Sequence, residues 1–266
     1  ADSHSLVQGE TTAIKATPNF GYLFSHWEIR SDSGASIANT SAPSTTFTMG
    51  NDNATVRAIF EIDQVSPVDP LNPEVEVDPD NKPGISEDQG LLSIDFVSQF
   101  GFGSQSNSVH DQKYYAKTQK LLNEDASANV VEERPNYIQI SDRRPDTERN
   151  GWELSVMQKE QFKGLENQEL SGASLSLLNQ QIITAQGGNP PGLQSVPCEL
   201  IPGNRRTLLK AQGDEGTGTW VYRFGDDETA EESVVLNVPK GTNPEATIYK
   251  TTLVWELSIV PQNQFD

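Results

Sequence analysis

Two glutamates raise the question of chemistry. Glu153 and Glu256 each follow a tryptophan, in GWELSV (151–156) and VWELSI (254–259). Two carboxylates about 5–9 Å apart can hydrolyse a glycosidic bond. Strand periodicity argues against that use here. Alternate residues face opposite ways, so Glu153 and Glu256 point away from the aromatic side of their strands. No nucleophile elbow, metal triad or phosphate loop accompanies them. The expectation is a chain without catalysis. The lone Cys198, between Pro197 and Glu199, cannot form an intramolecular disulfide and reads as a small buried apolar residue. His4, His26 and His110 are scattered and make no metal spacing. Asp78 and Asp80 are spaced like calcium-loop positions, but Lys82 and Pro83 break the pattern. No cofactor is called for.

The duplicated motif has physical content of its own. Trp152, Leu154 and Val156 share one strand face, as do Leu253, Trp255, Leu257 and Ile259. A wholly apolar strand face is more often core than ligand platform. The competing reading is that the indoles, or their Glu neighbours, contact a ligand, since Trp stacks well on the apolar faces of sugars. The ligand-binding candidates are therefore Trp152, Leu154, Trp255, Leu257, Glu153 and Glu256. Arg143, Arg144 and Arg149 lie within ten residues of Trp152 and could supply cations, as could Lys113 and Lys117 around Tyr115. Against this, nearby acids such as Asp142, Asp146 and Glu148 could pair with the arginines as ordinary solvated charges.

Stepping from these residues to the elements that carry them, the chain reads as all-β. Residues 1–62 contain TAIKAT, YLFSHWEIR, STTFTM and ATVRAIFEI, separated by PNFG, SDSG and GNDN turns. This is a small half-buried sheet. Residues 89–266 carry strand chemistry at 91–97, 137–141, 151–158, 173–180, 219–224, 233–239 and 247–261, which favours a β-sandwich-like domain. KYYAKTQKLL (113–122) fits a helix or a strand, and its tyrosines favour the strand. Between the two regions, residues 63–88 hold five prolines, eight acids and one lysine. That composition predicts an extended linker, up to about 80 Å long at ~3.1 Å per residue.

Charge narrows the partners. The 266-residue chain has 38 acidic and 19 basic residues and a net charge of −19. Nucleic acid and anionic membrane surfaces are disfavoured. No apolar run approaches the roughly 18 residues of a membrane helix, so no membrane insertion is expected. No signal segment opens at Ala1, which fits a mature exported chain, a fragment or a cytosolic protein.

Two resemblances follow from these residues. Tyr249, Leu253, Trp255, Leu257 and Pro261 fill a Tyr-x3-Leu-x-Trp-x-Leu-x3-Pro pattern, and Trp152 with Leu154 supplies an earlier Trp-x-Leu. With LLSIDFVSQFGFG (91–103), ERPNYIQISDRR (133–144) and the preceding acidic proline-rich stretch, residues 88–261 resemble the WxL domain of Gram-positive surface proteins. The resemblance implies secretion to the cell surface, non-covalent attachment to the wall through peptidoglycan, no catalysis, and other cell-surface proteins as further partners. GYLFSHW (21–27) and TTFTMGNDNATVRAIFE (45–61) resemble the small β-grasp-like repeats of the internalin B-repeat kind, which act as spacers or adhesion modules; such repeats open with a further strand or two, so the resemblance implies a truncated or boundary repeat over residues 1–62. SIVPQNQFD at the C-terminus has no LPxTG-type sorting signal. Attachment would then fall to the folded domain. Peptidoglycan and teichoic acids are anionic, and residues 89–266 carry −9. Stacking and hydrogen bonds would have to replace long-range attraction. The alternative reading is a protein–protein module that docks on another surface protein through its face or an edge strand.

Overall fold

A computed structural model describes residues 5–31, 34–81, 89–122 and 132–260. His4, Lys82, Pro83 and Pro261 lie outside these residues. The chain divides into two units, Ala1–Gln64 and Val65–Asp266.

The first unit contains β1 (Thr11–Lys15), β2 (Tyr22–Ile29), β3 (Ser36–Ile37), β4 (Ser44–Thr48) and β5 (Val56–Ile62). β1, β4 and β3 form one antiparallel sheet, and β2 pairs with β5 in another. Trp27 is buried and its indole N–H donates to the Ala42 carbonyl at 2.9 Å. Phe24 packs against Trp27 and Phe60, with centroids 5.5 and 6.1 Å apart. The strands expected over residues 1–62 are present, divided between two sheets instead of joined in one, with the two-residue β3 added.

The second unit begins with β6 (Asp78–Pro79), β7 (Leu92–Val97), β8 (Gln112–Tyr115), β9 (Gln119–Leu122), β10 (Glu132–Arg134) and β11 (Asn136–Asp142). It continues through β12 (Trp152–Gln158), β13 (Ser174–Leu177), β14 (Gln180–Ile183), β15 (Gly192–Leu193) and β16 (Cys198–Leu200). β17 (Arg205–Ala211), β18 (Gly218–Phe224), β19 (Val234–Val238) and β20 (Leu253–Ile259) complete it. The 113–122 segment is strand, broken into β8 and β9 at Ala116.

Three four-stranded antiparallel sheets surround one apolar core. Their orders are β14-β18-β11-β7, β15-β17-β12-β20 and β16-β13-β19-β8. Ile138, Ile140, Tyr222 and Phe224 enter the core from the first, Trp152, Leu154 and Val156 from the second, and Leu175, Leu177 and Cys198 from the third. Cys198 is fully buried, and burial pushes its thiol pKa up, so it behaves as the apolar residue expected. The all-β expectation holds.

The linker expectation does not survive over residues 65–81. Every residue of β11 is buried, so that strand is covered on both faces. Its second face, with Phe96, Tyr137 and Val221, packs against Val68 and Ile183. Here the acidic, proline-rich stretch acts as a strap. The Gln139 amide binds it twice, donating to the Ser66 carbonyl at 2.9 Å and accepting from the Val68 N–H at 2.7 Å. Asp69 is buried and takes both ends of its carboxylate to Arg134 Nε, at 2.9 and 2.8 Å. Arg223 donates to the Pro70 carbonyl at 2.8 Å, and β6 adds to the edge of β9. Composition suggested an unfolded segment because it weighed the strap alone. The surface that stabilises it comes from the sheet.

Beneath the strap lies a buried carboxylate. Asp95 accepts from Ser93 and Gln89 on one oxygen, at 2.6 and 2.9 Å, and from Ser141 and Gln139 on the other, at 2.6 and 3.3 Å. Gln89 also accepts from the Val65 N–H at 2.9 Å, which ties the network to the start of the strap. Burial raises the Asp95 pKa, opposed by hydrogen bonds from Ser141, Ser93 and Gln139 and by the charge of Arg143.

A chain beginning at Gln89 should unfold at lower urea than one beginning at Val65, because Phe96, Tyr137 and Val221 lose their cover. Asp69→Ala in the full chain should cost roughly 2–3 kcal/mol, somewhat below the loss of one partner from a fully buried pair. Equal midpoints for the two chain lengths would refute the strap's role. A third prediction concerns pH. A raised folded pKa means that the native state holds the Asp95 proton longer than the unfolded chain. The stability this gives is present below the ordinary value near 3.8 and is lost as pH rises through the raised one. Other carboxylates titrate in the same range, so the test is the difference between wild type and Asp95→Asn across that window. The difference should shift against the wild type as pH rises, and a flat difference would show that Asp95 is not linked to folding.

Candidate functional site

The two Trp-x-Leu motifs are neighbours. β12 and β20 pair antiparallel, with Trp152 opposite Ile259, Leu154 opposite Leu257 and Val156 opposite Trp255. Paired residues share a face, so both motifs direct their Trp and Leu side chains to the same side of the sheet. The antiparallel register sets the two indoles four residue pairs apart, Trp152 at the first pair of the ladder and Trp255 at the fifth.

Their environments differ. β12 is an inner strand between β17 and β20, and Trp152 and Leu154 are fully buried. The Trp152 ring is held by close backbone. At Gly216, where φ is +68°, a Cβ would come within 2.6 Å of the indole. The preceding Gly151 has φ +88°, and a Cβ there would meet the Ala211 carbonyl oxygen at 2.1 Å. Only glycine tolerates both demands. Trp152 and Leu154 are therefore core residues, closed to a ligand in this conformation.

β20 is the outer strand of its sheet among the described residues, and Trp255 and Leu257 are only partly buried. The indole N–H groups of Trp27, Trp152 and Trp220 donate to the carbonyls of Ala42, Gly216 and Thr217. The Trp255 N–H has no hydrogen-bond partner among the described residues.

The glutamates occupy the opposite face, as their spacing predicted. Glu153 pairs with Lys210 on β17 at 2.7 Å, and Glu256 with Arg205 at 2.6 Å. Glu153 lies opposite Ser258 and Glu256 opposite Ser155, so the two carboxylates are diagonal neighbours, about 7–8 Å apart at the backbone. That backbone spacing is compatible with a glycosidase pair, but the electrostatics are not. A general acid needs a raised pKa, and the Arg205 guanidinium holds Glu256 below the usual carboxylate range.

The cationic candidates are placed differently from the expectation. Arg143 and Arg144 are buried, each about 5% exposed. Arg144 closes a two-point pair on Asp142, at 2.9 and 2.7 Å, and donates to the Gly151 carbonyl at 3.3 Å. It braces the turn that leads into Trp152. Arg149 pairs with Asp146 at 2.7 Å. Lys113, Tyr115 and Lys117 are exposed on one side of the β8 segment. The adjacent Tyr114 faces the other way.

That other side opens on a cleft of about 1380 Å³. One rim is the loop at residues 97–107, and the other is the stretch at 244–253. The floor is core: Phe162, Leu170, Leu175, Leu236 and Val238. Tyr249, Leu253 and Trp255 line it together, so the second motif pattern converges here while the first does not. Asn107 Nδ2 donates to the Pro244 carbonyl at 2.8 Å and joins the rims. Tyr114 donates to the Ser106 carbonyl at 3.2 Å, and the Tyr249 hydroxyl accepts from the Glu245 N–H at 2.9 Å. Among the described lining residues only Glu245 and Lys250 are charged. The 97–107 rim was missed as a site element, although an uncharged run in a chain of net charge −19 was a readable signal.

The division between the two tryptophans is testable. Trp152→Ala costs about 3–5 kcal/mol in the unfolding free energy, and Gly216→Ala is also destabilising because of both its φ and the indole. Trp255→Leu costs less, about 1–2 kcal/mol, because the side chain is only partly buried. Equal losses at the two tryptophans, measured by urea unfolding, would contradict the division.

Comparison with known families finds two matches. Residues 39–261 match the model of the WxL domain, surface cell wall-binding, and residues 1–64 match that of the divergent InlB B-repeat domain. Neither the curated proteins nor the solved structures gave a match. The first match covers well over half of the sequence and takes in both motif strands, the cleft and the strap, so this chain belongs to the WxL family of surface cell-wall-binding domains.

Proposed function

We propose that the second unit holds this chain on the Gram-positive cell wall by binding peptidoglycan non-covalently in the cleft beside β20, and that it displays the first unit at the surface of the secreted protein. The observation that carries this reading is the convergence of Tyr249, Leu253 and Trp255 on a cleft whose lining holds one acid and one base. The wall is polyanionic and the chain carries −19. A charged site would be screened or repelled. A near-neutral cleft with an apolar floor and an amide- and hydroxyl-bearing rim allows contact without an electrostatic penalty. The role is attachment. Glu153 and Glu256 are engaged in ion pairs on the opposite face of the motif sheet, so they are not assigned a chemical step.

A second reading rests on a different observation. β20 is an outer strand that exposes Val254 and Ile259, and such an edge can receive a strand from another cell-surface protein.

Co-sedimentation with sacculi stripped of teichoic acid and protein separates the two readings. Under the wall-binding reading, the full chain pellets saturably, and pelleting persists when salt is raised well beyond the range in which exposed charges interact. Trp255→Leu weakens it by about tenfold or more. A folded chain that stays in the supernatant, and pellets only when wall-associated protein is restored, would transfer the function to the β20 edge.

A further inference from the structure

We propose that the cleft takes the glycan backbone of the wall polymer, a chain of N-acetylated hexosamines, rather than its peptide. The proposal rests on the wall-binding reading and deepens it. A pyranose ring offers a flat patch of C–H groups with hydroxyl and acetamido groups at its edge, all uncharged. The cleft offers the complement. Its floor is apolar, and Trp255 presents a partly buried indole whose N–H is unused among the described residues. An aromatic ring can pack on a sugar face while its N–H donates to a hydroxyl at the ring edge.

The rims continue the match. Gln99, Gln105 and Asn107 on one side and Thr247 and Thr252 on the other provide neutral donors and acceptors. A wall stem peptide carries free carboxylate and ammonium groups, and a site for it is favoured by several charges of opposite sign. The cleft has Lys250 and Glu245, both exposed, and the Glu245 carboxylate already accepts from Gln168 at 2.8 Å. The buried arginines that sequence suggested as cations are elsewhere. Size points the same way. A pocket for a compact small molecule measures about 300–1,000 Å³. This cleft, at about 1380 Å³ between two long rims, suits several linked rings.

The test is calorimetry of the full chain with chitohexaose, a soluble β-linked chain of six N-acetylglucosamines, and separately with a free stem pentapeptide. Chitohexaose should bind saturably, with affinity unchanged within about twofold as salt is raised, because neither partner presents net charge at the contact. Trp255→Leu should weaken binding about tenfold or more. Gln105→Ala, at an exposed rim position that leaves the core untouched, should weaken it by about threefold or more through loss of one amide. Loss of the N-acetyl groups from the probe should also weaken binding. Failure of chitohexaose to bind, or binding of the pentapeptide alone, overturns the glycan assignment. If the same preparation still pellets with stripped sacculi, wall binding stands and only the glycan assignment falls. If it pellets with neither, both readings fall.

Discussion

The antiparallel pairing of β12 with β20 is the constraint on which the rest depends. A motif that appears twice with the same alternation, laid antiparallel and in register, joins two apolar faces into one. The inner copy is then enclosed by β17 on its other side, while the outer copy has no such neighbour among the described residues. One sequence pattern therefore gives two environments. Trp152 is fully buried in a core shared by three sheets, and Trp255, four pairs along the ladder, borders a cleft. The cleft floor is the outer limit of that same core. Packing and the proposed recognition share one apolar surface, and a large cavity introduced at Trp152 would disturb both.

The polar face of the same sheet has a different task. Lys210 answers Glu153 across to β17, and Arg205 answers Glu256. Such exposed pairs contribute little to stability singly. They do fix which face meets water, because a one-residue slip in register would drive these charges into the core. Arg144 adds to this from below, holding Asp142 and the Gly151 carbonyl just where β12 begins.

Much of this was legible in the residues, for reasons that can be named. β2, β5, β7, β11, β12, β18 and β19 carry β-branched and aromatic residues; five of them lie within a segment read as strand, while β11 exceeds its segment by one residue at each end and β18 by one at its start. RRTLLKA, which forms β17, was passed over because two arginines and a lysine mask its alternation; Leu208, Leu209 and Ala211 are fully buried. The expected strand at 247–261 forms only over Leu253–Ile259. Before it, Lys250 pairs with Lys163 in a single bridge and the backbone turns to build the cleft rim. Arg143 and Arg144 were read as surface cations because charge near a motif suggests a ligand. A single sequence does not reveal that Asp142, two residues before Arg144, follows it into the interior. The strap failed as a linker for a related reason. Proline and acid content describe what a segment cannot do alone, and Asp69, Pro70 and Val68 are held by Arg134, Arg223 and Gln139, each far away in sequence.

The strap also decides how the second unit meets mechanical load. By chain order, tension arriving from residues before Val65 reaches the strap before any strand of the three sheets. Its anchors lie in sequence along its length: Gln89 at Val65, Gln139 at Ser66 and Val68, Arg134 at Asp69, and Arg223 at Pro70. Pulled from one end, such a row yields one anchor at a time. The anchors of the strap therefore stand, in chain order, between a pull from that end and the strands of the core.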